Sequence, residues 1–435
     1  MALGAVVLGA ALAAVQLAPT FELVRHSQRA GGVEYRAALS YSFWPWHFLT
    51  FLMPGAFGNP ASGDYWGYGA YWEDAVYVGL LTLLLGGRAL ARWQRERRSG
   101  SPSRAAQEVP FLIVSLVPVS LLALGWNTPL FPWLFERIPT FNWFNGPARW
   151  MVLAVFALSA LGGIGADRWQ THSPGARWGW RAVVAGLAFV LSAVAVRVAL
   201  GASVRPGLVL ATVRLGLLLA LVGGLAILLV RAGHSPKWRA GWEALILALL
   251  AADLVSAHWG LNPTIEAGYY HQRAALADAV PEGTRVLILP GDEHMAKFDL
   301  FLNFGDFRAS DRARWDALRG SLLPNLNAVD GIPGAGNFDP LLVGDHAALL
   351  EQIDGLPPGG AVEQAARLNV GMLLTSAPLG GAELLGRAGP IYAYRVPDVW
   401  PRALLAACRP GEDGLMCERQ APGEAVIVAD EPERV

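Results

Sequence analysis

Through residues 1–261, long apolar runs alternate with short loops that carry most of the charge. A helix that crosses a bilayer needs roughly 20 predominantly apolar residues. Ala2 to Ala18, extended through Val24, meets that length, and further runs follow at about 72–90, 109–125, 148–166, 182–200, 207–230 and 242–259. The pattern predicts about seven spans. No Lys or Arg follows Met1 to form the charged start of a signal peptide, so the first run reads as a true span. From residue 262 the apolar period shortens. Strands are predicted at Arg285–Leu289, Val370–Thr375, Ile391–Val396, Arg402–Ala407 and Ala425–Ala429, and helices at Ser310–Leu322, Asp345–Ile353 and Val362–Leu368. The fold class implied is an α-helical polytopic membrane protein with a C-terminal mixed α/β domain, divided into 1–261 and 262–435.

The loops between runs are of two kinds. Loops 88–106, 167–181 and 231–241 hold twelve cations, whereas 25–71, 126–149 and 201–206 hold six. The positive-inside rule makes the first set cytoplasmic. The N-terminus is then cytoplasmic, and 262–435 is extracytoplasmic. Two aromatic loops fall on the outer side with it. From Tyr41 to Tyr77 there are thirteen aromatic residues, with no Lys or Arg between Arg36 and Arg88. Pro45, Pro54, Gly55, Gly58, Pro60, Gly63, Gly67 and Gly69 break this stretch too often for one helix. Trp and Tyr collect where hydrocarbon meets water, so it reads as a re-entrant or interfacial loop roofing a cavity between spans. The second loop, Trp126 to Trp150, contains Trp126, Trp133, Trp143 and four Phe.

Composition sharpens this division. Of the 435 residues, 54% are hydrophobic and 16% charged, with 17 Trp. The formal net charge of -1 conceals 20 Lys+Arg against 11 Asp+Glu in 1–261 and 14 against 24 in 262–435. A basic apolar part followed by an acidic water-compatible part suits a membrane domain joined to a soluble one. Neither part carries the basic, aromatic-interleaved face of a nucleic-acid binder. The two cysteines, Cys408 and Cys417, flank Pro410-Gly411-Glu412-Asp413-Gly414, a turn-rich centre suited to a hairpin. A disulfide and two separate thiols both remain open on spacing alone.

Phosphate-loop, HExxH, GxSxG and CxxC signatures are absent, and no cofactor is indicated, although a divalent metal stays open. Gly334-Ala335-Gly336 reads as a turn, and Asp292-Glu293-His294 as a solvated loop, because adjacent residues point apart. Charges in apolar surroundings are more informative. Asp253 lies inside the last run, about 15 Å of helix from its start. An ionisable group there requires a partner or a wet cavity. Two readings follow: an ion pair of Asp253 with Arg197 or Arg214, or a lipid-phosphate grip formed by Arg197, Arg205 and Arg214. Glu73 and Asp74 sit in the apolar collar beside Trp72. They either cap a helix N-terminus or act as a general base toward a sugar or lipid hydroxyl. Trp44, Trp46, Trp66, Trp72, Trp126 and Trp143 are then sugar-stacking platforms or an interfacial belt.

Several stretches together resemble the YfhO family of bacterial multi-spanning membrane proteins, placed with GT-C type glycosyltransferases. They are Gln16-Leu17-Ala18-Pro19-Thr20-Phe21-Glu22-Leu23 with Ser27-Gln28-Arg29, Phe51 through Gly58, and Glu73 through Leu80. In the second part they are Leu323-Pro324-Asn325-Leu326-Asn327 leading to Gly336 through Leu341, then Trp400-Pro401-Arg402-Ala403-Leu404-Leu405. The resemblance implies transfer of a sugar from a polyprenyl-phosphate carrier at the outer face of a bacterial inner membrane, with membrane lipids as the other partners. Members of that family are longer, and GT-C enzymes usually carry the catalytic acid in the first outer loop. The resemblance therefore implies a C-terminal portion or a shortened homologue, lacking that loop. The competing expectation is a non-catalytic membrane protein whose outer domain binds an envelope partner.

Overall fold

A computed structural model describes residues 2–100, 103–139, 141–167, 176–232, 239–262, 264–302, 305–308, 311–402, 406–411 and 414–419. Its contacts group into two compact units. One comprises Met1–Gln28, Glu266–Phe301 and Asp311–Val435, the other Arg29–Ile265 and Leu302–Ser310. The first helix, α1 (Ala2–Arg25), thus groups with C-terminal segments. At its end Gln28 N–H donates to Leu342 O at 3.0 Å, and Gly344 N–H to His26 O at 2.8 Å.

The second unit is helical: α2 (Leu80–Arg98), α3 (Val109–Ala123), α4 (Met151–Ala166), α5 (Ala176–Leu200), α6 (Pro206–Ala232) and α7 (Arg239–His258). Six helical segments among the described residues are long and apolar enough to cross a membrane: Leu3–Arg25, Arg104–Ala123, Pro147–Ala166, Ala176–Ser203, Pro206–Val230 and Gly241–His258. The count expected was seven. The run placed at 72–90 fails because its helix begins only at Leu80 and ends in Arg95, Arg97 and Arg98. Gly79, at φ 89, makes the sharp entry into α2 in a conformation that a side chain would strain.

Small residues let these helices approach closely. A Cβ on Gly165 of α4 would lie 1.8 Å from Leu85 O of α2. Between α5 and α6, a Cβ on Gly186 would lie 2.3 Å from Gly216 O, and one on Gly179 2.7 Å from Gly223 O. This is backbone-on-backbone packing of the kind that holds apolar helices together without a difference in polarity.

The aromatic stretch folds onto these helices. Phe43, Val76, Val119, Ala123, Ala148, Met151 and Ala154 form one buried cluster, and Met53, Ala56, Leu80, Ala211 and Leu215 another. Backbone bonds fasten the loop: Phe43 N–H to Ala123 O and Ala148 N–H to Tyr41 O, each at 2.9 Å.

The first unit carries a small mixed sheet of β1 (Arg285–Ile288), β2 (Val370–Thr375), β3 (Leu384–Ala388) and β4 (Ile391–Arg395) in the order β1-β2-β4-β3. β1 and β2 are parallel; the other pairings are antiparallel. All six residues of β2 are buried, as its uninterrupted apolar run requires of a central strand. Three helices accompany it: α8 (Arg312–Gly320), α9 (Gly344–Asp354) and α10 (Pro358–Arg367). Asp311 caps α8 by accepting from Arg314 N–H at 3.3 Å. A core of Leu287, Ile353, Ala365, Val370, Leu373 and Val396 joins strands to helices.

β3 was not anticipated from the sequence. A separate hairpin is formed by β5 (Ala406–Gly411) and β6 (Gly414–Arg419); of the strand expected at Arg402–Ala407 it includes Ala406 and Ala407, and 403–405 lie outside the described residues. Its register pairs Cys408 with Cys417, placing the two backbones opposite one another. Their side chains, and the strand expected at Ala425–Ala429, lie outside the described residues.

Candidate functional site

The aromatic loop encloses a buried titratable pair that the sequence reading missed. His47 falls in a short helical turn, Pro45–Phe51, begun by Pro45 and packed edge-on against Phe43, with ring centroids 5.9 Å apart. Asp74 closes a turn in which its N–H donates to Tyr71 O at 3.2 Å. The His47 Nδ1 to Asp74 Oδ2 separation is 2.7 Å, and the two side chains are 3% and 7% exposed. The ring N–H is poorly aligned with that oxygen, so the contact is a close approach rather than a well-directed hydrogen bond.

Tyr65, Tyr71, Tyr77, Phe57, Thr50 and His258 line the recess around the pair. It leaves about 20 Å³, room for about one water. Burial pushes the Asp74 carboxyl above the ordinary aspartate value, with the neighbouring Glu73 charge adding to the shift and His47 opposing it. Burial likewise raises the Tyr65 and Tyr71 hydroxyls, with Asp74 adding to the effect at Tyr65. A carboxyl made less acidic by burial, beside an imidazole, can exchange a proton with a bound hydroxyl.

Glu73 is placed differently. Its carboxylate takes a bidentate contact from Arg149, at 2.7 Å from Nη2 and 2.9 Å from Nε. It does not line the recess. Neither Glu73 nor Asp74 caps α2. That position is filled from α7, where Asp253 Oδ2 accepts from Leu80 N–H at 3.0 Å. Tyr77 donates to both Asp253 oxygens at 2.8 Å. Arg214 of α6 reaches Asp253 Oδ1 at 2.5 Å and its carbonyl at 2.6 Å, with its guanidinium 5.1 Å from the Tyr77 ring centroid. Asp253 is 4% exposed, so three separate segments converge on one buried carboxylate. Because Tyr77 also lines the recess, this cluster and the His47–Asp74 pair share a wall.

The three arginines proposed for a lipid phosphate have three different engagements. Arg214 is committed to Asp253. Arg197 donates Nη1 to Gly201 O at 2.6 Å and Val204 O at 3.1 Å. Arg205 lies 5.2 Å over the Trp66 ring. Among the tryptophans, Trp44 packs on Tyr68 with centroids at 4.4 Å, and Trp72 meets Phe307 at 5.1 Å. Trp126 meets Tyr35 at 5.9 Å. Trp46 is 70% exposed, and Trp143 sits half-buried in the short turn Phe141–Trp143.

In the first unit, the Asp292-Glu293-His294 stretch forms a short helical turn, not an open loop. Asp292 accepts from Ser376 N–H at 3.0 Å, and Glu293 pairs with the buried Lys297. Among the described residues no group of three potential ligands could hold a metal ion.

A lone histidine inside an apolar aromatic stretch was the signal for His47. It is the same argument that singled out Asp253, applied to a histidine. No family model, curated protein or solved structure matches the chain.

Proposed function

We propose that this is a membrane-embedded glycosyltransferase of the GT-C type, or the part of one that holds acceptor and carrier. It would use a polyprenyl-phosphate-linked sugar at the outer face of a bacterial inner membrane. The observation carrying this reading is the buried His47–Asp74 pair, in which burial makes the Asp74 carboxylate a stronger base under an aromatic roof. In the proposed step an acceptor hydroxyl gives its proton to Asp74 as its oxygen bonds the anomeric carbon. The bond from that carbon to the carrier phosphate breaks, and the lipid phosphate leaves with the electron pair. His47 holds the carboxylate in place as its charge changes. Trp46, exposed in the short turn that carries His47, offers a flat face for a sugar ring. Glu73, held by Arg149, is assigned no proton transfer. The topology proposed places the loops 25–71 and 126–149 outside with the C-terminal domain, following the loop charges.

A second reading rests on the tightness of the recess. With room for about one water, and with neither Glu73 nor any arginine in its wall, the loop is packed down onto its helices. That arrangement suits a non-catalytic membrane protein whose C-terminal domain binds an envelope partner. Reconstitution with a radiolabelled polyprenyl-phosphate sugar and an acceptor mixture separates the two. The transferase reading expects turnover that falls about 10²–10⁴-fold in Asp74→Asn, the range for loss of a general base. No turnover by the parent protein, or equal turnover by the variant, leaves the second reading.

A further inference from the structure

One face of the α5–α6 pair carries a groove of about 500 Å³. Ala185, Ala188, Ser192 and Val196 of α5 line it opposite Leu208 and Thr212 of α6. The Thr212 hydroxyl is turned onto its own helix, donating to Leu208 O at 2.8 Å, so Ser192 is the one remaining hydroxyl on a wall otherwise of Ala, Val, Leu and Phe. Phe189 and Val196 are 42% and 43% exposed, so the trough is open along its side.

The polar end of this groove is marked by charge. Val204 belongs to the lining, and the Arg197 guanidinium sits against its carbonyl at 3.1 Å. Arg205 follows Val204 directly and rests on the Trp66 ring. Among the described residues neither arginine has a carboxylate within ion-pair distance. Asp64 lies beside Gly207 in the first turn of α6, but its Oδ1 accepts from Asn59 N–H at 2.9 Å. Two cations without a counter-ion among the described residues therefore stand at one end of a largely apolar trough between helices of membrane-spanning length.

We infer that this groove holds an anionic glycerophospholipid of the bilayer, with an acyl chain along α5 and α6 and its phosphate between Arg197 and Arg205. The complement to such a site is an anion attached to a long hydrocarbon, because cations near a bilayer surface attract anionic headgroups and an apolar trough excludes polar occupants. The side opening admits a molecule arriving laterally from the hydrocarbon. The groove shares no lining residue with the His47–Asp74 recess, so its occupant is a companion of the fold and not a reactant. The inference rests on the membrane reading alone and survives failure of the transferase reading.

Native mass spectrometry of the full chain, released from detergent after addition of dioleoyl-phosphatidylglycerol or dioleoyl-phosphatidylcholine, tests it. The expected result is one retained phosphatidylglycerol, preferred over phosphatidylcholine by about tenfold or more, the order set by two headgroup-contacting cations. R197Q/R205Q should bring the two lipids to near parity, while R197K keeps the preference. A188F, which fills the trough from an exposed position, should remove the retained lipid without changing the melting temperature in lipid-free detergent. Equal retention of both lipids by the parent chain overturns the proposal, as does unchanged retention in A188F. Displacement of phosphatidylglycerol by an equimolar long-chain isoprenyl phosphate would assign the groove to a carrier instead. A dimer that A188F dissociates would assign it to a second copy of the chain. If A188F fails to fold, the parity expected of R197Q/R205Q still decides.

Discussion

Asp74 and Asp253 are both buried acids of the helical unit, at 6% and 4% exposure, yet their surroundings differ in kind. Asp253 is saturated: a guanidinium, a phenol hydroxyl and a backbone N–H all converge on its two oxygens. Among the described residues Asp74 has one close polar side-chain partner, an imidazole whose N–H is poorly aimed. A saturated carboxylate is a fastening, because changing its charge would strand every donor around it. An under-coordinated one can change its charge at smaller cost, which proton transfer requires. Burial alone therefore does not identify a working acid; the number and aim of its donors do.

The largest test of this contrast is a double-mutant cycle on Asp253 and Arg214. Asp253→Asn or Arg214→Ala alone should cost about 3–5 kcal/mol, and the double variant less than the sum, because removing one partner leaves the other charge buried. Additive losses, measured by chemical unfolding in detergent, would dissolve the pair. Tyr77→Phe should cost less, about 1.5–3 kcal/mol, the range for a hydrogen bond to a charged group. A neutral result there would show that Arg214 alone satisfies the carboxylate.

Asp74 should behave in the opposite sense. Its folded carboxyl holds a proton more tightly than the unfolded one, so its stabilising contribution is complete below the ordinary value of 3.8 and is lost as pH rises through the raised folded value. Thermal unfolding from about pH 4 to 8 should show the parent protein losing stability relative to Asp74→Asn as pH rises, with the curves closing toward the acid end. Parallel curves would mean that His47 fully compensates the charge. The smallest effect belongs to Glu73→Gln. Arg149 is 57% exposed, so breaking that pair should change stability by only about 0–1 kcal/mol, despite its bidentate geometry.

The elements that the chain declared in advance are those with one dominant signal. The run Val370–Leu374 carries no charged or strongly polar residue and lies in the central strand; Asp311, just before Arg312, caps a helix. β3 escaped because Leu384-Leu385-Gly386-Arg387-Ala388 has neither alternation nor β-branched residues, and its register shifts between Leu384 and Gly386. The start of α2 was misplaced for a different reason. Ala75 to Val78 extends the apolar run of α2 backward, but Gly79 turns the backbone, and the cap on Leu80 comes from Asp253, 173 residues away. At the candidate site, Asp74 and Asp253 were visible as charges out of place. That Glu73 would be diverted to Arg149, and that His47 would meet Asp74, depends on chain reversals that local pattern does not encode.

The glycine contacts between α5 and α6 have a consequence in time. The two helices are joined by the five residues 201–205, so closing this hairpin costs little chain entropy. The fit at Gly179, Gly186, Gly216 and Gly223 lies wholly within 176–232 and requires nothing earlier or later in the chain. The pair is thus equipped to assemble as soon as α6 has emerged from synthesis, before Asp253 exists to receive Arg214. Until α7 follows, Arg214 would wait in an apolar helix without its carboxylate, which makes the interval between α6 and α7 the most exposed moment in the assembly of this unit.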